Sequence, residues 1–129
     1  MQYVLLIYET PDAFARRQNE HEDEPYMGAW RSYYKSIVDA GIYLGGQPLD
    51  IPETGTTVAH PGGKRQIQDG PYANTKEQLG GFMLLELPSL DAALEWAARC
   101  PAAANGGAVE VRPLAPRVHQ RVTSARADA

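Results

Sequence analysis

The side chains best suited to chemistry crowd into one short stretch, Asp69-Gly70-Pro71-Tyr72-Ala73-Asn74-Thr75-Lys76-Glu77-Gln78-Leu79-Gly80-Gly81-Phe82. Asp69 offers a carboxylate at the start of a loop, fit for general-base work or for anchoring a ligand. The same Asp-Gly pair is also ordinary turn chemistry, the carboxylate bonding only its own backbone. Lys76 could bind a carboxylate or phenolate oxygen while Asp69 holds it in place, or it could be a solvated surface charge. Lys76-Glu77 reads as part of a short helical turn, on which adjacent side chains diverge and do not act as one pair. Gly80 and Gly81 let either a ligand or a packed helix come close to the backbone. Tyr72, and Tyr8 beside Glu9 at the end of the first strand, would supply aromatic walls carrying a hydroxyl. For Tyr8 the competing reading is a core aromatic at an interface. The site expected from the sequence therefore has Asp69 and Lys76 as catalytic groups, and Tyr8, Tyr72, Gly80 and Gly81 as the ligand-binding surface.

Elsewhere the chemistry is sparse. His21 and Glu24 stand at helical i,i+3 spacing, but two ligands are too few for a metal site, and the acidic run around them already suits a helix start. His60 and His119 stand alone. No metal or cofactor is expected: there is no Ser-His-Asp order, phosphate loop or dinucleotide fingerprint. Cys100 is the one cysteine, so neither an intrachain disulfide nor a multi-thiolate zinc site can form. It reads as a half-buried residue at a helix end rather than a nucleophile.

A formal net charge of −4 argues against direct binding to nucleic acid or to an anionic membrane. The opening run Gln2 to Tyr8 has no basic flank and is too short for a signal peptide or membrane span, which points to the cytoplasm.

The elements that must position these groups follow from local pattern. Tyr3 to Tyr8 is apolar on both faces and reads as a central strand. Ala13 to His21 is a loop or a short helical turn. Carboxylates and Pro25 open a first long helix, with Met27, Trp30, Tyr34, Ile37 and Val38 on one face, and Gly41 closes it. Ile42 to Leu49 is a short strand bent at Gly45-Gly46. Two polar β-prone runs flank Pro61-Gly62-Gly63 as a hairpin. Phe82 to Leu87 is the second central strand. Ser89 caps a second helix with Leu90, Ala93, Leu94 and Ala97 as its stripe, and Pro101 stops it. Ala108 to Arg112 is the last strand.

The order β-α-β, hairpin, β-α-β predicts a ferredoxin-like α+β sandwich of two split βαβ units. Helices suffice for one face of the sheet. Tyr3, Leu5, Ile7, Met83, Leu85 and Leu87 point one way and Val4, Leu6, Tyr8, Phe82 and Leu84 the other, and a second subunit is expected to cover whichever face the helices leave open, giving a homodimer. Residues 1–114 form the domain, and 115–129 read as an extended or disordered tail.

Three blocks in order, "YVLLIY", "DGPYANTKEQLGGF" and "DAALEWAARCPAA…GGAVEVRPL", resemble the DGPF subgroup of the YCII-related family, with Tyr72 where the name-giving motif has phenylalanine. The resemblance implies a dimeric α+β barrel of ferredoxin-like subunits. It implies little about reaction: some relatives are lyase-like or dehalogenating enzymes, and some related domains are attached to sigma factors. A His–Asp pair proposed in the YCII branch has no clear counterpart histidine here. The expected function is binding of a small polar or aromatic molecule, with cofactor-independent acid/base, lyase-like chemistry as one possibility. The competing expectation is a non-catalytic interaction module linked to transcription.

Overall fold

The computed structural model describes residues Met1–Ser124. Strand β1, Gln2–Glu9, alternates strictly: Tyr3, Leu5, Ile7 and Glu9 are buried, while Val4, Leu6 and Tyr8 are half-buried on the opposite face. That is the period-two signature of a strand covered on one side. A short helix, α1 (Pro11–Arg17), follows at once. Thr10 caps it by accepting a 3.1 Å bond from the Ala13 N–H, Pro11 fills its first position, and Arg16 and Arg17 close it at the carbonyl end, where cations are favoured. The long helix α2, Pro25–Asp39, is capped by Glu24 and ends at Ala40 just before Gly41, whose φ of 73° makes the left-handed exit.

Strands β2 (Tyr43–Pro48), β3 (Thr56–Ala59), β4 (Gln66–Asp69), β5 (Gln78–Glu86) and β6 (Ala108–Pro113), with helices α3 (Leu90–Ala98), α4 (Pro101–Ala104) and α5 (Pro116–Ser124), complete the chain. The main sheet runs β2-β5-β1-β6, antiparallel throughout, and this is the ferredoxin-like order that the βαβ–hairpin–βαβ reading predicts. The register between β2 and β5 shifts between Tyr43 and Gly45, at the expected bend. β3 and β4 form a separate, mostly exposed hairpin with Thr56 opposite Asp69.

The core lies between one face of the sheet and the helices. Leu5, Leu85, Ile37 and Ala93 are fully buried within it, packed with Tyr33 and Ala97.

Three local expectations change. Helix α2 is rotated, so Tyr26, Tyr33 and Ile37 are buried, while Tyr34 and Val38 are 49% and 44% exposed. Two aromatic stripes satisfy the helical period, and the sheet selects the one containing Tyr26. On α3 the small Ala93 and Ala97 meet the sheet, leaving Leu90 and Leu94 half-exposed. Where an extended or disordered tail was expected, residues 116–124 are helical, starting at Pro116 and carrying Val118 and Val122 one turn apart. Residues 125–129 of that tail lie outside the described residues.

Candidate functional site

The inward positions of β1 read Tyr3, Leu5, Ile7, Glu9, so the alternation that builds the core ends by driving a carboxylate into it. Glu9 is 3% exposed. A charge so placed needs partners, because removal from water otherwise costs several kcal/mol. It has two. The Tyr26 hydroxyl donates to Oε2 at 2.5 Å, and Arg17 Nη1 donates to Oε1 at 2.8 Å. Both follow from the helix starts and stops described above. The 7-residue α1 is just long enough to turn Arg17 back over the strand end. Glu24 accepts from the Tyr26 N–H at 2.8 Å and from Arg16 Nε at 3.0 Å, which fixes the first turn of α2 and points Tyr26 inward. Burial first, and then the bond to Glu9, push the Tyr26 phenol well above its ordinary range. It therefore keeps its proton at neutral pH and presents it to the carboxylate.

Arg17 ties further elements to this point. Its Nη1 also approaches the Gly80 carbonyl at 3.4 Å, and its Nη2 donates to the Leu49 carbonyl. The strand pairing has a bulge here: Ile7 faces Gly81 and Tyr8 faces Leu79, leaving Gly80 as the extra residue.

Glu9 and Arg17 stand at the polar end of a cavity of about 320 Å³ between sheet and α2, within the size range of small-molecule sites. Ile7, Met27, Trp30 and Met83 make its apolar lining, and Tyr34 and Tyr43 its aromatic edge. The rings lock one another edge to face: Tyr34 meets Tyr43 at 5.1 Å and 79°, and Trp30 meets Tyr33 at 5.8 Å and 79°. Such pairs hold their geometry without a ligand. Arg31 and Gln47 add polar groups to the lining, and Arg31 Nη2 donates to the Glu22 carbonyl at 2.6 Å. The arrangement can enclose a small planar molecule between apolar walls and offer one carboxylate acceptor at the polar end.

A second cavity, about 440 Å³, lies between α1, the turn at Ile51–Glu53 and the loop carrying Pro71, Thr75 and Lys76. Glu9 is the one residue that lines both.

The residues singled out from sequence are dispersed. Gly80 and Gly81 are buried and line the first cavity. Lys76 is exposed at the second. Asp69, the last residue of β4, is exposed and lines neither, and among the described residues it forms no ion pair with Lys76. Tyr72 is 87% exposed. Tyr8 lies on the sheet face away from the helices. The expected helical turn at Lys76 is an irregular loop instead, held by Gln78 Nε2 donating to the Ala73 and Thr75 carbonyls at 2.9 and 2.8 Å. Cys100 is fully buried, and burial pushes its thiol up to about 11. No group of three or more metal-ligating side chains occurs among the described residues, and no helix among them is long and apolar enough to cross a membrane.

Glu9, Arg17 and Tyr26 were not singled out from sequence. One signal was available, since Glu9 shares the parity of Tyr3, Leu5 and Ile7.

An antiparallel β2-β5-β1-β6 sheet, with helices on one face and a cavity beneath the longest of them, defines a ferredoxin-like α+β domain. The family model of the YCII-related domain matches residues 1–117, and the chain belongs to that family. An uncharacterised protein of Rhizobium meliloti (strain 1021) is 38% identical over 117 residues, spanning 89% of this chain and 93% of that protein. A similar fold is found in 5-chloro-2-hydroxyhydroquinone dehydrochlorinase from Burkholderia phenoliruptrix AC1100, solved in complex with 2,5-dihydroxybenzoquinone. The likeness covers 89% of this chain and 94% of that one, at a TM-score of 0.52 and 16% identity.

Proposed function

We propose that the cavity under α2 binds a single-ring aromatic molecule bearing a hydroxyl, and that Glu9 exchanges a proton with that hydroxyl as an acid/base group needing no cofactor. The observation carrying this is a buried carboxylate, held by Tyr26 and Arg17, at the polar end of an otherwise apolar, aromatic-edged cavity. Each carboxylate oxygen has a second lone pair, so Glu9 retains acceptor capacity after its two bonds. Perturbed or buried titratable groups facing an apolar cavity are the usual mark of a reactive site. The fold neighbour's name and its bound quinone agree with a ligand of this class. The acid/base role that the sequence suggested for Asp69 falls here to Glu9, because Asp69 is exposed and outside both cavities. Lys76 would meet a ligand only from the second cavity.

The test is a thermal-shift and fluorescence screen of catechol, hydroquinone, phenol and 2,5-dihydroxybenzoquinone, read by the emission of Trp30 and Trp96. Glu9→Gln, an uncharged isostere, should weaken binding of the best of these about tenfold or more, the scale of one hydrogen bond to a charged group. Asp69→Asn should leave it unchanged. Equal binding by Glu9→Gln and the unsubstituted protein would sink the assignment.

We also propose that a second copy of the chain covers the open face of the sheet. Val4, Leu6, Tyr8, Phe82 and Leu84 form an apolar patch there, and β6 bears the pair Arg112–Glu110 at 2.5 Å beside it. A patch with apolar centre and charges of both signs at its margin is self-complementary about a two-fold axis. Sedimentation at micromolar concentration should give twice the 14.1 kDa of one chain, and a purely monomeric profile would refute the dimer. The alternative of a transcription-linked interaction module finds support only in α5, where Val118 and Val122 are exposed alongside Arg117 and Arg121. It predicts that Glu9→Gln changes no activity of the protein.

A further inference from the structure

We infer that Gly80 is a positioning residue for Glu9: its missing side chain is the space into which the carboxylate is folded. The inference rests on the role proposed for Glu9, but the geometry behind it does not. A Cβ built on Gly80 would lie 2.0 Å from Glu9 Oε1, 2.9 Å from Cδ and 3.1 Å from Cγ. These are overlaps with one side chain along most of its length.

Glycine is not needed at this position for backbone conformation, since Gly80 is absent from the glycines with positive φ. It is needed for room. Glu9 cannot simply swing aside, because Tyr26 and Arg17 hold its two oxygens at 2.5 and 2.8 Å. Any move that clears a methyl group lengthens one or both bonds and leaves a buried donor short of its acceptor.

The bulge adds a second constraint. As the extra residue of β5, Gly80 turns its carbonyl to the β2 side, where the Leu49 N–H donates at 2.8 Å and Arg17 approaches at 3.4 Å. One residue therefore supplies both the gap for the carboxylate and part of the anchorage for its cationic partner. Gly81, next in line, differs in kind: its Cβ would meet the Gln47 carbonyl oxygen at 2.9 Å and the Pro48 Cα at 3.2 Å, which are backbone atoms of β2. The first glycine serves the acid, and the second serves strand packing.

This difference gives a test that does not depend on knowing the ligand. Glu9→Asp, one methylene shorter, should destabilise the natural chain, because its carboxylate no longer reaches both partners. In the Gly80→Ala background the same change should stabilise, since it withdraws the atoms that the new methyl strikes. In the Gly81→Ala background it should destabilise again. Urea midpoints of the six chains read this reversal of sign directly. If Glu9→Asp fails to raise the midpoint of Gly80→Ala, or raises that of Gly81→Ala equally, the assignment is overturned. Catechol binding is the second readout. Gly80→Ala should lose about tenfold in affinity, with part of the loss restored in Gly80→Ala/Glu9→Asp. A normal sign reversal with Glu9→Gln binding catechol as well as the natural chain would keep Gly80's role and refute the reading of the site.

Discussion

Tyr26, second residue of α2, gives its hydroxyl proton to Glu9, last residue of β1, at 2.5 Å. The bond joins the helix layer to the sheet at the point where both leave the core. It also explains why a tyrosine stands at a site 1% exposed, since a buried hydroxyl needs an acceptor. Tyr26→Phe keeps the ring and its edge-to-face contact with Trp30 at 6.3 Å, and removes only the donor. The chain should lose about 1–3 kcal/mol, the usual cost of leaving one buried charged acceptor a partner short. Urea unfolding with an unchanged m-value measures it.

Arg17 should matter more. Arg17→Met keeps an apolar stem and removes the guanidinium, whose Cζ lies 5.1 Å from the centre of the Phe14 ring, leaving Glu9 as a buried anion with a phenol alone. Breaking a buried pair from one side costs about 3–5 kcal/mol, and the 15% exposure of the Arg17 side chain places this case at the lower end. Adding Glu9→Gln removes the stranded charge, so the double variant should be more stable than Arg17→Met alone. A double-mutant cycle in which the two changes simply add would show that the pair is not coupled.

The strands, the caps and the sheet order were legible because each depends on neighbours in sequence: alternation in Tyr3 to Tyr8, Ser89 capping α3, Gly41 ending α2. The site was not, because it depends on which way elements face. Stripes containing Tyr33 or Tyr34 both satisfy a period of 3.6 residues, and only docking on the sheet chooses between them. Arg17 comes from a helix too short to show any periodicity. Asp69, Tyr72 and Lys76 drew attention by their concentration, yet a solvated loop gathers ionisable groups for the same reason a core repels them. Glu9 carried the opposite signal, an acid in phase with an apolar face, and that pattern is the more informative one.

Cys100 sets a prediction for alkaline pH. Burial raises its thiol from 9.0 to about 11 in the folded chain. The unfolded chain therefore releases this proton first, and the thiol's contribution to stability is complete below pH 9, falls as pH rises from about 9 to 11, and is gone above that. Two pKa units amount to about 3 kcal/mol. The buried phenols of Tyr26 and Tyr33, also raised from 10.0, act in the same direction from about pH 10 upward. Cys100→Ala should flatten the decline in urea midpoint between pH 8.5 and 10.5. An equally steep decline in the variant would assign it to other groups. In the folded chain at pH 8 the thiol should resist a disulfide reagent that reacts at once after unfolding.

Tyr34 separates a wall of the cavity from a support of the fold. It is 49% exposed, lines the cavity and packs edge to face on Tyr43. Tyr34→Ala removes the buried half of the ring and its contact with Tyr43, so stability should fall by about 1–3 kcal/mol, short of the loss for a fully buried aromatic. A ring bound under α2 would lose one aromatic edge, and catechol affinity should drop about three- to tenfold, since an aromatic pair contributes about 0.5–1.5 kcal/mol beyond its area. Val38, on the same helix and 44% exposed, lines neither cavity. Val38→Ala is thus the matched control, and its affinity should stay at the natural value. If Tyr34→Ala and Val38→Ala bind catechol alike, the ring does not sit between α2 and β2, and the ligand must be sought in the second cavity beside Lys76.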